Sequence, residues 1–189
     1  MTSPAHLESH HGVLMNIDGQ GVFIRGEPNI GKSSLALELL YQGHQLIADD
    51  IAEFKTTTQG ITGQCPTLLS GLLHSRELGL IPVLDLFGKA AWQHETKLSH
   101  IILLHQDIIT INSQDLMPVL EHYTICQHDF PMLRLCTKNP ASLMHRIQTW
   151  LALQSQVNDV NTTFIQKQQR SIMIENKTLF TNNKNNVIF

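Results

Sequence analysis

The first apolar runs, Val13–Ile17 and residues 22–25, are short and flank Asp18-Gly19, a favoured tight-turn pair, so they predict a β-hairpin. Residues 35–40 are Leu-Ala-Leu-Glu-Leu-Leu, a run of helix formers, and Gly43 predicts the stop. Gln45–Ala48 reads as a buried strand that ends at Asp49-Asp50. Residues 51–65 predict a second hairpin around Gln59-Gly60, residues 66–73 a short helix, and residues 78–83 a strand. Residues 98–105 hold Ile101, Ile102, Leu103 and Leu104 in succession, which predicts a strand buried on both faces. Residues 106–130 carry no clear period, and 132–136 predict a last strand. Asn139-Pro140 is expected to open a helix to about Leu153, with Leu143, Ile147, Trp150 and Leu151 on one stripe. Trp150 and the methionines fit a core better than a cofactor site.

The ends differ from the middle. Residues 1–10 are polar and expected to be a loose tail, residues 11–154 the folded domain, and residues 155–189 a polar extension. That extension is rich in Gln, Asn and Thr and closes with Asn182-Asn183-Lys184-Asn185-Asn186. Its one apolar patch, Ile172-Met173-Ile174, is able to pair as a strand.

The chain has 189 residues, enough for one ordinary domain with a sizeable core, since 42% of residues are apolar. Only 15% are charged, against about 25% for average globular proteins. The net charge of −3 lacks the basic footprint of a nucleic-acid binder. No apolar run approaches the roughly 18 residues of a membrane span, and the N-terminus lacks a secretory signal. The cysteines, Cys65, Cys126 and Cys136, are odd in number and far apart, which fits free thiols in a cytoplasmic setting. Eleven histidines nearly equal the thirteen Lys and Arg together. His94, His100, His105, His122, His128 and His145 show no metal-ligand spacing, and ordinary structural roles are expected for them.

Gly26-Glu27-Pro28-Asn29-Ile30-Gly31-Lys32-Ser33 fits G-x-x-x-x-G-K-[ST], between a predicted strand and a predicted helix. Glycines let the backbone wrap around phosphates, and successive N–H groups with the helix N-terminus supply positive potential. Lys32 suits β/γ-phosphate charge, and the Ser33 hydroxyl suits Mg²⁺. Asp49-Asp50 ends the next apolar strand, on the side where ligands of open α/β sheets sit. One carboxylate there is able to hold Mg²⁺ and the other to accept a proton from an attacking hydroxyl. The alternative is a Gly-rich turn and a solvated Asp pair of purely structural use.

With His11-Gly12-Val13-Leu14, Gly21-Val22-Phe23-Ile24, Ala36-Leu37-Glu38-Leu39, Gly43-His44 and Ala48-Asp49-Asp50, the chain resembles the catalytic domain of the HPr kinase/phosphorylase family. The likeness is close from His11 to about Asp50. It continues more weakly through Arg76, Leu78-Gly79-Leu80-Ile81 and Leu86-Phe87-Gly88, and fades beyond Leu104. The resemblance implies an α/β, P-loop-containing fold with a phosphoenolpyruvate-carboxykinase-like core and β-hairpins. It also implies a short form without the family's N-terminal domain. By position, Gly26, Glu27, Pro28, Asn29, Ile30, Gly31, Lys32, Ser33 and Ser34 would bind ATP. Ser33 would hold Mg²⁺, and the strand-end position makes Asp49 the candidate second metal residue. Asp50 would be the base that takes the proton of a serine on HPr, and His11 and Lys32 match further active-site positions. A cytoplasmic homo-oligomer, a hexamer by resemblance, is implied too.

Two departures bear on activity. The family's metal-ligand Glu is replaced by His74, a poor partner for a hard cation, although Glu77 lies close in sequence. The family's catalytic loop Arg has no counterpart near Ser113-Gln114-Asp115-Leu116-Met117-Pro118. The leading expectation is an ATP-dependent protein-serine kinase. The runner-up is a nucleotide-binding regulatory module with little catalysis, and a third reading is a small-molecule kinase on the same scaffold.

Overall fold

A computed structural model describes residues 7–107 and 120–156. The predicted extension beyond 156, the Ile172-Met173-Ile174 patch and the segment 113–118 lie outside the described residues. The chain divides into two units, Met1–Met144 and His145–Phe189. The first contains all the strands described below.

It begins with β1 (Glu8–His11), which the polarity of residues 1–10 concealed; the strand pairs antiparallel with β5 (Ile51–Thr57). Next come β2 (Val13–Ile17) and β3 (Gln20–Gly26), paired antiparallel as predicted. Asp18 and Gly19 carry φ of 51° and 79° between them, the two positive angles that a primed hairpin turn needs.

The helix α1 (Lys32–Tyr41) buries Leu35, Ala36, Leu39 and Leu40. It ends as Gly43 predicts: Gly43 takes φ 86°, its N–H donates to the Leu40 carbonyl at 3.0 Å, and the His44 N–H donates to the Leu39 carbonyl at 3.1 Å. That crossed pair satisfies two carbonyls at the helix end. β4 (Gln45–Ala48) follows and pairs antiparallel with β2. Since β2 also runs antiparallel to β3, the C-terminal ends of β3 and β4 point the same way.

β5 and β6 (Gly60–Gln64) form the second predicted hairpin. The expected helix over 66–73 is only a 3-10 turn at Thr67–Leu69; the chain then extends as β7 (Leu72–Ser75), paired with β8 (Gly79–Pro82) in a separate small sheet. A short helix α2 (Val83–Phe87) leaves it.

β9 (Glu95–His105) is the spine of the main sheet. Its start pairs with β6, its middle and end with β3 in parallel, and residues 101–105 also with β11 (His128–Cys136) in parallel. β10 (Glu121–Ile125) lies in the stretch where the sequence offered no period and makes a hairpin with β11, whose residues 132–136 are the predicted last strand. The main sheet runs β1-β5-β6-β9-β3-β2-β4, with β11 and β10 branching from β9. Ile101, Ile102 and Leu104 are all buried, which explains the unbroken apolar run. The core formed by residues of β2, β3, β5, β6 and β9 holds Leu14, Phe23, Phe54, Ile61, Leu98 and Ile101, and Phe23 and Phe54 meet edge to face at 5.0 Å between centroids.

The second unit is described through α3 (Leu143–Gln156), which starts in the first unit's last residues. It begins three residues later than Asn139-Pro140 predicts, because the Asn139 side chain is used in a turn, accepting the Ala141 N–H at 3.0 Å.

Candidate functional site

The loop Gly26 to Gly31 joins β3 to α1 and owes its path to three unusual backbone positions. Gly26 takes φ 147°, and a Cβ there would come within 2.8 Å of the Leu104 carbonyl oxygen and 2.9 Å of Ile30. The side chain of Asn29 tolerates its φ of 66°, and Gly31 at 103° opens the helix as its N-cap. Ile30 is turned inward, 8% exposed. It anchors the loop, while Glu27, Pro28 and Asn29 remain exposed.

Lys32 is the first residue of α1. Its Nζ arcs back and donates to the carbonyls of Gly26 at 2.9 Å and Glu27 at 3.0 Å. Partial burial lowers the Lys32 pKa, against the opposing pull of the Asp50 and Asp49 charges. The ammonium is thus held against the loop carbonyls and feels the charge of both carboxylates.

The two aspartates at the end of β4 face different surroundings. Asp49 is buried: its Oδ1 accepts the Ser33 hydroxyl at 3.1 Å and its Oδ2 accepts the His74 N–H at 2.7 Å. Burial raises its pKa above the usual carboxylate range, and these hydrogen bonds only partly offset that. Asp50 stands out in solvent in the left-handed region, φ 67°. Its carbonyl accepts the Gly12 N–H at 3.0 Å. Its Oδ1 lies 3.8 Å from His11 Nδ1, with the two side chains 77% and 83% exposed. Successive residues thus present one carboxylate inward to Ser33 and one outward to His11. The positive φ at Asp50 makes that possible and is sustained by the turn, since the Ile51 N–H donates to the Asp49 carbonyl at 2.9 Å.

A cavity of about 480 Å³ lies against the loop. Asn29, Gly31, Lys32, Ser33 and Ser34 form one wall, and His74 and Ser75 from the end of β7 with Arg76 and Glu77 from the turn into β8 form the other. The second wall is where sequence reasoning fell short. Arg76 stood in the weaker part of the family likeness without a role, yet it brings a second cation to the cavity that holds Lys32. His74 and Glu77 both line the cavity. Asp49, Asp50 and His11 are not among its lining residues.

The donor set suits a hard cation. Ser33 and Asp49 bring two side-chain oxygens to 3.1 Å of each other, and Mg²⁺ is usually held by one or two carboxylates together with substrate phosphates and water. Among the described residues no group of three or more His, Cys, Asp or Glu side chains gathers as a metal site. Also among them, no helix is long and apolar enough to cross a membrane.

A family model described as the HPr Serine kinase C-terminal domain matches residues 3–168. The HPr kinase/phosphorylase of Lacticaseibacillus casei (strain BL23) is 46% identical over 101 residues, covering 53% of this chain and 32% of that protein. The protein of the same name from Azoarcus sp. (strain BH72) is 35% identical over 170 residues, covering 87% of this chain and 54% of that protein. The chain thus spans between about a third and about half the length of these curated relatives. Among solved structures, the Hpr(Ser) kinase/phosphatase from Coxiella burnetii superposes with a TM-score of 0.74 at 28% identity, covering 83% of this chain and 98% of that one. That match establishes a mixed α/β, sheet-rich core of the same kind.

Proposed function

From the premise that the chain belongs to the family of HPr serine kinase C-terminal domains, we propose that it is an ATP-dependent protein-serine kinase acting on HPr or an HPr-like phosphocarrier. The observation that carries the reading is the split between Asp49, turned in on Ser33, and Asp50, turned out beside His11.

The loop N–H groups and the N-terminus of α1 bind the phosphates of ATP. Lys32 swings from the Gly26 and Glu27 carbonyls toward the β/γ-phosphates, exchanging neutral acceptors for charged ones. Ser33 and Asp49 would hold Mg²⁺, which, when bound, neutralises charge on the phosphate oxygens. Asp50 accepts the proton of the substrate serine hydroxyl. The serine oxygen bonds to the γ-phosphorus, the bond to the bridging oxygen breaks, and ADP leaves. Solvent exposure of Asp50 leaves it reachable by a protein substrate. His11, next to it, orients the carboxylate.

Incubation with γ-labelled ATP, Mg²⁺ and HPr should label HPr on serine. A second reading, a nucleotide-binding module with weak transfer, is favoured by His74 at the cavity wall in place of a carboxylate. It predicts ATP-dependent thermal stabilisation without labelling of HPr or of any protein in a cell extract.

A further inference from the structure

His10 precedes His11 on β1, and alternation along a strand sends their side chains to opposite faces. The His10 ring is 14% exposed. It meets Phe23, Phe54 and Tyr123 edge-on, at centroid distances of 6.3, 5.8 and 5.6 Å. Its Nε2–H donates to Glu8 Oε1 at 2.7 Å, and its Nδ1 is hydrogen-bonded to the Tyr123 hydroxyl at 2.9 Å. The other Glu8 oxygen accepts the Cys126 N–H at 2.6 Å. The Arg25 guanidinium lies over the Tyr123 ring, 3.8 Å from its centroid. Tyr123 and Cys126 belong to the β10–β11 hairpin, so the cluster ties β1 to a distant part of the chain.

The tie matters because of what β1 carries. The strand is four residues long and lies at the end of the sheet order, paired with β5. A short edge strand has few ladder bonds to fix it. Its last residue is His11, beside Asp50, and the next N–H, of Gly12, bonds the Asp50 carbonyl. Apolar side chains at 8 and 10 would fill the space. A hydrogen-bonded pair with both ring nitrogens engaged instead selects one arrangement.

We infer that His10, clamped between Glu8 and Tyr123, is a positioning residue that fixes the end of β1 and thereby holds His11 and the Asp50 backbone in place for phosphoryl transfer. The inference rests on the roles proposed for Asp50 and His11.

Two variants test it. His10→Phe keeps a ring among Phe23 and Phe54 but removes both hydrogen bonds, and Tyr123→Phe removes one. Hydrogen exchange at the Gly12 amide reports the end of β1 directly, without catalysis. In His10→Phe it should rise by about tenfold or more while amides of α1 stay protected, with a smaller rise in Tyr123→Phe. kcat for HPr labelling should fall by about ten- to a hundredfold with ATP affinity unchanged, the mark of a displaced reacting group. Unchanged Gly12 exchange in both variants would overturn the inference, as would faster exchange with full kcat. If the wild-type chain labels no protein, the proposed function falls on its own, and the exchange measurement still decides whether the clamp holds Gly12 and Asp50.

Discussion

The Ser33 hydroxyl donates to Asp49 Oδ1 at 3.1 Å, linking the first turn of α1 to the end of β4. The same carboxylate accepts the His74 N–H, so three segments meet on one buried acid. Burial sets the sign of its effect on stability. The Asp49 pKa is higher in the folded chain than in the unfolded one. The folded state therefore binds the proton more tightly, and stability drops as pH rises from the unfolded to the folded pKa, with the full cost present above it. Asn can accept the His74 N–H and donate to Ser33 without charge. Asp49→Asn should therefore melt higher than wild type at neutral pH without nucleotide, with the gap shrinking as pH falls through the carboxylate range. It should also lose Mg²⁺-dependent ATP binding. Thermal unfolding across pH checks this, and a variant less stable than wild type at neutral pH would contradict it.

Among the described residues, the Lys32 ammonium hydrogen-bonds the Gly26 and Glu27 carbonyls. Removing it costs the folded chain little and costs bound phosphate a charged partner worth about 1.5–3 kcal/mol. Lys32→Ala should keep its melting temperature within a few degrees and lose about tenfold or more in ATP affinity by titration calorimetry. Unchanged affinity would refute phosphate binding by this loop.

Phe23 is fully buried between His10 and Phe54. Phe23→Ala should destabilise by about 3–5 kcal/mol in denaturant unfolding. Leu86, 61% exposed, offers the contrast: Leu86→Ala should change stability by less than about 0.5 kcal/mol.

Much of this architecture was legible in the chain because local chemistry dictates it. Asp18-Gly19 needs two positive φ angles and makes the turn it predicts. Gly43 closes α1, and the Ile101 to Leu104 run lies in a strand with parallel neighbours on both sides. The glycines of the loop and the Asp49-Asp50 pair stand where spacing and strand ends put them. What stayed hidden depends on partners remote in sequence. Glu8, Ser9 and His10 look like a polar tail until β5 pairs with them and Tyr123, 113 positions from His10, closes over the ring. The second wall of the cavity was equally illegible, since a helix over 66–73 and a strand over 78–83 do not suggest that the turn between them returns to Lys32. Asn139 misled in the other direction: its cap-like signature serves a turn ahead of α3.

Under the proposed function, transfer depends on Asp50, the carboxylate turned outward beside His11. Loss of a general base costs about 10²–10⁴ in rate. The direct measurement compares wild type with Asp50→Asn for transfer of label from γ-labelled ATP to HPr, with ATP affinity measured alongside. Wild type should label a serine of HPr, and Asp50→Asn should bind ATP normally and label it at least about a hundredfold more slowly. Absence of labelling by wild type, or equal labelling by Asp50→Asn, would contradict a serine kinase with Asp50 as its base.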